Sequence, residues 1–245
     1  MNRVVIKFLA GFLLLFVVYH FPEFFPVFWV MAVFKIGFLL VAFVLGRLQG
    51  WKGLEGYGLG FSKRWWQHLL QGLFIGIFFF SVSVLVSVLV RYEEFNGIAS
   101  IDVIIKGLPM LLLMTSFPSI AEDILTRGYL YGHLFNKMKP WHWVLLSAVV
   151  YVLNHIWRLN EDPSVLVYLF LLGVVLASAV WKTKSLWLAF GIHWGANLAF
   201  ESSHSFVETK PLVTHYGSTW LLAASWLLLV ILFGITAKPK ATLRS

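Results

Sequence analysis

The sequence predicts an all-α fold, a polytopic transmembrane bundle of about eight helices. Three observations lead to it. Apolar residues make up 60% of the 245 positions and charged ones only 12%, and the mean hydropathy of +0.83 lies beyond that of soluble domains. Apolar runs of about 20 residues recur along the chain, the length that crosses a hydrocarbon core of ~30 Å. The charged residues lie between those runs and separate by sign, as alternate loops of a membrane protein do.

The first run joins Arg3 and Lys7 to the apolar stretch from Phe8 to Tyr19. It resembles the start of a signal peptide, but no small-x-small cleavage site follows, so it is read as a span at about residues 4–20. Further spans are expected at about 27–46, 68–90, 103–131, 141–157, 164–181, 185–201 and 217–236. The fourth is longer than the bilayer requires and contains Pro109 and Pro118, which predicts a tilt, a kink or a break after Phe117. Gly46 to Gln67, with Trp51, Trp65 and Trp66 among basic residues, is expected to lie along the inner interface as an amphipathic segment. No repeat or polar linker divides the chain, so residues 1–245 read as one membrane domain.

Charge tests the span count. With these spans, Arg3, Lys7, Arg47, Lys52, Lys63, Arg64, Lys137, Lys139, Lys182, Lys184, Lys238, Lys240 and Arg244 share one side with Glu55 as the sole acid. The other side carries Glu23, Glu93, Glu94, Asp102, Glu161, Asp162, Glu201 and Glu208, with Arg91, Lys106, Arg158 and Lys210 as its bases. The basic side is then cytoplasmic and holds both termini. The net charge of +8 is accounted for by topology, and no basic stripe with interleaved aromatics suggests nucleic acid. Cysteine is absent, which excludes disulfides and thiolate metal sites. The expected location is the plasma membrane, and a chain this short and cysteine-free reads as a bacterial inner-membrane protein.

Ionisable groups inside spans are costly and mark function. Here they are Lys35, Glu122, Asp123, Arg127, His155 and His193. Asp123 and Arg127 stand at i and i+4 on one helical face and can neutralise each other. Glu122 is rotated about 100° from Asp123 and about 140° from Arg127, so it stays outside that pair as a candidate base. Tyr151 and His155, with Asn154 adjacent, share a face of the fifth span, and His193 and Asn197 share a face of the seventh. Counting rise from Lys137, Trp141 and Ser185 places Glu122 roughly 22 Å, His155 roughly 21 Å, Asn197 roughly 18 Å and His193 roughly 12 Å from the inner boundary. Three helices thus bring a carboxylate, two imidazoles and an amide to one layer.

Simpler roles compete residue by residue. Ser119-Ile120-Ala121-Glu122 also reads as a capping box at a helix restart after Pro118. A lone His155 or His193 reads as an interhelical hydrogen-bonding residue. Lys35 is expected to face a hydrated cavity or an acidic partner, and His20, His68, His133, His142, His204 and His215 read as interfacial. The convergence of depths favours a site over these separate readings.

Glu122-Asp123-x-x-x-Arg127, Tyr151-x-x-x-His155 and His193-x-x-x-Asn197 resemble, in order, the three motifs of the CAAX protease and bacteriocin-processing (CPBP) family, which includes the type II CAAX prenyl endopeptidases. The resemblance covers about residues 100–200, the core that carries all three motifs, and the eight-helix layout is similar. Asp123 stands where the family has a second Glu, and Tyr151 where it has Phe. The resemblance implies an intramembrane glutamic endopeptidase in which Glu122 and His155 activate water while His193 and Asn197 stabilise the oxyanion, with Asp123, Arg127 and Tyr151 in support. Its expected partners are membrane lipids and a membrane-associated protein or peptide substrate. No cofactor is favoured.

Two other readings stay open. Glu122, His155 and His193 have the donor types of a catalytic zinc site, which would make the chain a zinc-dependent protease. The same bundle also suits a non-catalytic membrane scaffold or immunity protein. A transporter would be expected to show internal repeats and broken helices in both halves, and the sequence shows neither.

Overall fold

The computed structural model describes residues 3–25, 27–212 and 216–235. Its helices follow the expected spans: α1 (Arg3–His20), α2 (Phe28–Leu48), α3 (Trp65–Leu89), α4 (Ile101–Asp123) with its continuation α5 (Tyr129–Leu134), α6 (Pro140–Asn154), α7 (Pro163–Thr183), α8 (Trp187–Ser205) and α9 (Gly217–Ile235). Six of these helical segments are long and apolar enough to cross a membrane. The exceptions are α6, which is only 15 residues long, and α8, which carries His193, Asn197 and Glu201. His193 lies on α8, and His155 follows the last residue of α6. Phe74, Leu40, Leu13 and Leu85 project outward from the bundle, an apolar surface suited to lipid.

Local chemistry sets several boundaries. Pro163 opens α7, where its missing N–H costs nothing, and the Asp162 side chain caps the first turn by accepting from Ser164 N at 2.8 Å. Pro140 opens α6 in the same way. In α7 the last turn closes on Lys184, a left-handed residue whose N–H reaches Val180 O.

The structure corrects the expectations around the fourth span. Helix α4 runs through Pro109 and Pro118 without a break, and the irregularity lies further on, in the π-helical turn Ile124–Gly128. No helix restarts at Ser119, so the capping-box reading fails. The Ser119 hydroxyl instead donates back to Thr115 O at 2.6 Å, and Thr115 donates to Leu111 O at 2.7 Å. Such back-bonding serves carbonyl groups in a proline-bearing membrane helix.

Two further differences concern the connections. The segment expected along the inner interface folds into the bundle as a 3-10 turn, Gly53–Tyr57. Tyr57 is fully buried and its hydroxyl donates to Ala42 O at 2.8 Å, so a core contact holds this segment. On the opposite side, β1 (Glu93–Ile98) and β2 (Val207–Pro211) form an antiparallel pair that the all-α reading did not anticipate. Glu93 faces Pro211 and Ile98 faces Val207, with an irregularity between Phe95 and Gly97. Pairing across more than a hundred residues leaves no local pattern to read.

The closest helix contact joins α3 to α8. Gly72 faces Gly191, Gly76 packs on Ile192 and Ala196, and Gly195 packs on Leu73 and Ile77, so two small-xxx-small pairs let the helices meet backbone to backbone. A Cβ on Gly76 would overlap Ile192 O, and one on Gly195 would overlap Leu73 O. This contact fixes the rotation of α8, and with it the direction of His193 and Asn197.

Candidate active site

The π-helical turn after α4 keeps Asp123, Arg127 and the turn between them wholly buried. Arg127 Nη1 pairs with Asp123 Oδ1, as the i, i+4 spacing implies. The guanidinium also lies 4.8 Å from the centre of the Tyr151 ring, a cation-π contact that helps hold a charge away from water. Glu122 stands outside this pair. Its Oε1 is 3.6 Å from His155 Nδ1 and its Oε2 is 3.6 Å from His193 Nε2.

Each imidazole is oriented by a group that can only accept. His155 Nδ1 donates to Tyr151 O at 2.8 Å, which leaves Nε2 as the ring's lone-pair nitrogen when neutral. Here the expectation needs correcting in one respect: α6 ends at Asn154, and His155 is its C-cap residue outside the helix. The carbonyl bond and an edge contact with the Tyr151 ring, centroids 4.8 Å apart, keep the two side chains together despite that. His193 Nδ1 donates to Asp123 Oδ1 at 2.9 Å, and its Nε2 faces the Tyr151 hydroxyl at 3.4 Å. Asp123 therefore serves two partners, Arg127 and His193. Asn197 donates from Nδ2 to Ser119 Oγ at 2.9 Å, which ties α8 to α4.

All the expected site residues thus meet, and Glu122, Tyr151, His155, His193 and Asn197 line one cavity of about 560 Å³. Among the described residues, no group of three His, Asp or Glu side chains has an arrangement that could hold a metal ion. The zinc reading would draw on Glu122, His155 and His193, whose Nδ1 atoms are both engaged in the bonds above.

Two further side chains, His20 and Lys35, belong here. His20, expected at an interface, is buried; its Nδ1 lies 2.7 Å from Glu23 Oε2 and its Nε2 3.1 Å from Asn154 Oδ1. Asn154 in turn donates from Nδ2 to Glu122 Oε1 at 2.9 Å. Because a carboxylate only accepts, the amide must turn its oxygen to His20, and His20 must carry a hydrogen on Nε2. No sequence signal pairs residues on α1 and α6 in this way. Lys35 meets the acidic partner expected of it: Nζ is 3.7 Å from Glu23 Oε1, donates to Tyr19 O at 3.1 Å and sits 3.3 Å above the Tyr19 ring.

A set of ionisable groups held inside a polytopic bundle defines an integral membrane protein with an internal polar site. Over residues 104–199 the chain matches the family described as Type II CAAX prenyl endopeptidase Rce1-like. The match supports assignment to the CPBP family of CAAX proteases, and it spans all three motifs. No curated protein matches the chain. The family indicates a protease working in a lipid environment on a membrane-associated substrate.

Proposed function

We propose that this protein is an intramembrane endopeptidase of the glutamic type, with Glu122 as its base. The observation that carries this reading is the placement of the Glu122 carboxylate 3.6 Å from each of two imidazoles in a shared cavity. Glu122 and His155 hold a water, and Glu122 takes its proton as the water oxygen attacks the scissile carbonyl carbon. The carbonyl oxygen becomes an oxyanion and receives hydrogen bonds from Asn197 Nδ2 and from His193 Nε2 when both ring nitrogens carry hydrogen. Collapse of the tetrahedral intermediate breaks the C–N bond, and the proton held by Glu122 passes to the departing amine. Every group in this sequence belongs to the chain.

The test is Glu122→Gln, assayed on membrane peptides in liposomes beside the unaltered protein. Glutamine keeps an oxygen to accept from Asn154 but cannot take a proton. Hydrolysis should disappear while the thermal melting profile stays close to that of the unaltered protein. Hydrolysis that persists in a folded Glu122→Gln variant would remove the base from the mechanism.

A further inference from the structure

We propose that the cavity takes its peptide from the membrane face opposite the basic loops, so that the substrate is an extracytoplasmic segment of a membrane-bound or exported polypeptide. The substrate class rests on the protease reading above; the side of access does not.

The position of the cavity carries this inference. Its floor is formed by Glu122 and His193, which are buried. Its walls come from one end of each surrounding helix: the last turns of α3 at Ser83 and Ser87, the first half of α7 at Leu169, the last half of α8 at Phe200, and the first half of α9 at Leu222. Those ends all lie on the side of Glu93, Glu161 and Glu208. The lining residues that reach solvent, among them His204, Pro211 and Tyr216, lie on the same side. None of the lysines and arginines from Arg47 to Arg64, at Lys137 and Lys139, or at Lys182 and Lys184 contributes to the lining. By the positive-inside rule, those basic segments face the cytoplasm, and the cavity opens away from it.

The lining also fits an extended peptide. Thr209 and Pro211 of β2 and Glu93 of β1 stand at the mouth, so the two-stranded sheet borders the route to Glu122. Leu169, Leu172, Leu222 and Trp226 offer an apolar wall for a side chain beside the scissile bond. A volume of about 560 Å³ accommodates a few residues but not a folded domain.

Because the chain has no cysteine, single cysteines report water access directly. Thr219→Cys places a thiol on the cavity wall, and Lys63→Cys places one on the basic side. Both are treated with a charged, membrane-impermeant thiosulfonate in intact and in permeabilised expressing bacteria. Thr219→Cys should react in intact cells and Lys63→Cys only after permeabilisation, and modified Thr219→Cys should lose hydrolysis of a peptide supplied from outside. The reverse labelling pattern, a Lys63→Cys that reacts in intact cells, or a Thr219→Cys that stays unmodified in both, would overturn the proposed access. Retained peptide cleavage after full modification would also overturn it. Labelling is read without catalysis, so failure of the unaltered protein to hydrolyse any supplied peptide would count against the protease reading and leave the access result standing.

Discussion

Asn154 holds the Glu122 carboxylate through a 2.9 Å hydrogen bond from its amide nitrogen, at the point where α6 ends and the chain turns out of the helix. Behind it, His20 holds the amide oxygen at 3.1 Å and is itself anchored by Glu23. Asn154 does not line the cavity, so its influence on a substrate must pass through Glu122.

Asn154→Leu should therefore lower kcat with little change in KM. A hydrogen bond to a charged group contributes about 1.5–3 kcal/mol, a rate loss of roughly tenfold to a hundredfold if it falls on the transition state. His20→Leu should act in the same direction. His20→Gln, which keeps a donor toward Asn154, should recover part of the loss. Steady-state kinetics of the three variants check this; a rise in KM with kcat unchanged would assign Asn154 to substrate binding instead.

Removing Asp123 and removing Glu122 should have opposite signatures. Asp123→Asn leaves Arg127 buried and uncompensated, a loss of about 3–5 kcal/mol in comparable buried pairs, and also weakens the anchor of His193. Glu122→Gln leaves no buried charge without its partner. Asp123→Asn should melt well below both the unaltered protein and Glu122→Gln in the same detergent. Equal melting temperatures for Asp123→Asn and the unaltered protein would contradict the pair.

The α3–α8 contact predicts a sharp dependence on side-chain size. Gly76→Leu drives a side chain into the backbone of α8 at Ile192, and overpacking of this kind costs about 1–3 kcal/mol or more. It should lower both stability and hydrolysis, because α8 carries His193 and Asn197. Gly37→Leu, where an added Cβ meets nothing within 4 Å, should be neutral in both assays.

Metal removal discriminates the remaining chemistry. With a base, a second imidazole and an amide supplied by the chain, hydrolysis should survive exhaustive chelation. Activity that is lost on chelation and restored by zinc in proportion to bound metal would replace this mechanism with a zinc-dependent one.

Much of the site was legible in the sequence because lipid makes polar residues conspicuous. Glu122, Asp123, Arg127, His155 and His193 could be singled out among apolar neighbours, and helical rise placed Glu122, His155, His193 and Asn197 in one layer. Helical spacing also gave the Asp123–Arg127 pair, which the π-helical turn preserves. By contrast, the fate of Ser119 was misread, because a Ser-x-x-Glu spacing suits either a helix start or back-bonding inside a continuous helix. Only the neighbouring turn decides between them.

The sequence by itself determined an all-α membrane bundle, the sorting of charge between its two sides and the residue types of the site. It could do so because transfer into hydrocarbon depends on local composition and length. Tertiary structure decided that His20 reaches Asn154, that β1 pairs with β2, that α3 and α8 meet through their glycines and that the cavity opens among the acidic ends of the helices. Lipid tails and packed side chains are similarly apolar, so hydropathy cannot distinguish a face turned to lipid from one turned to another helix. Those choices rest on shape and directional hydrogen bonds between residues distant in the chain.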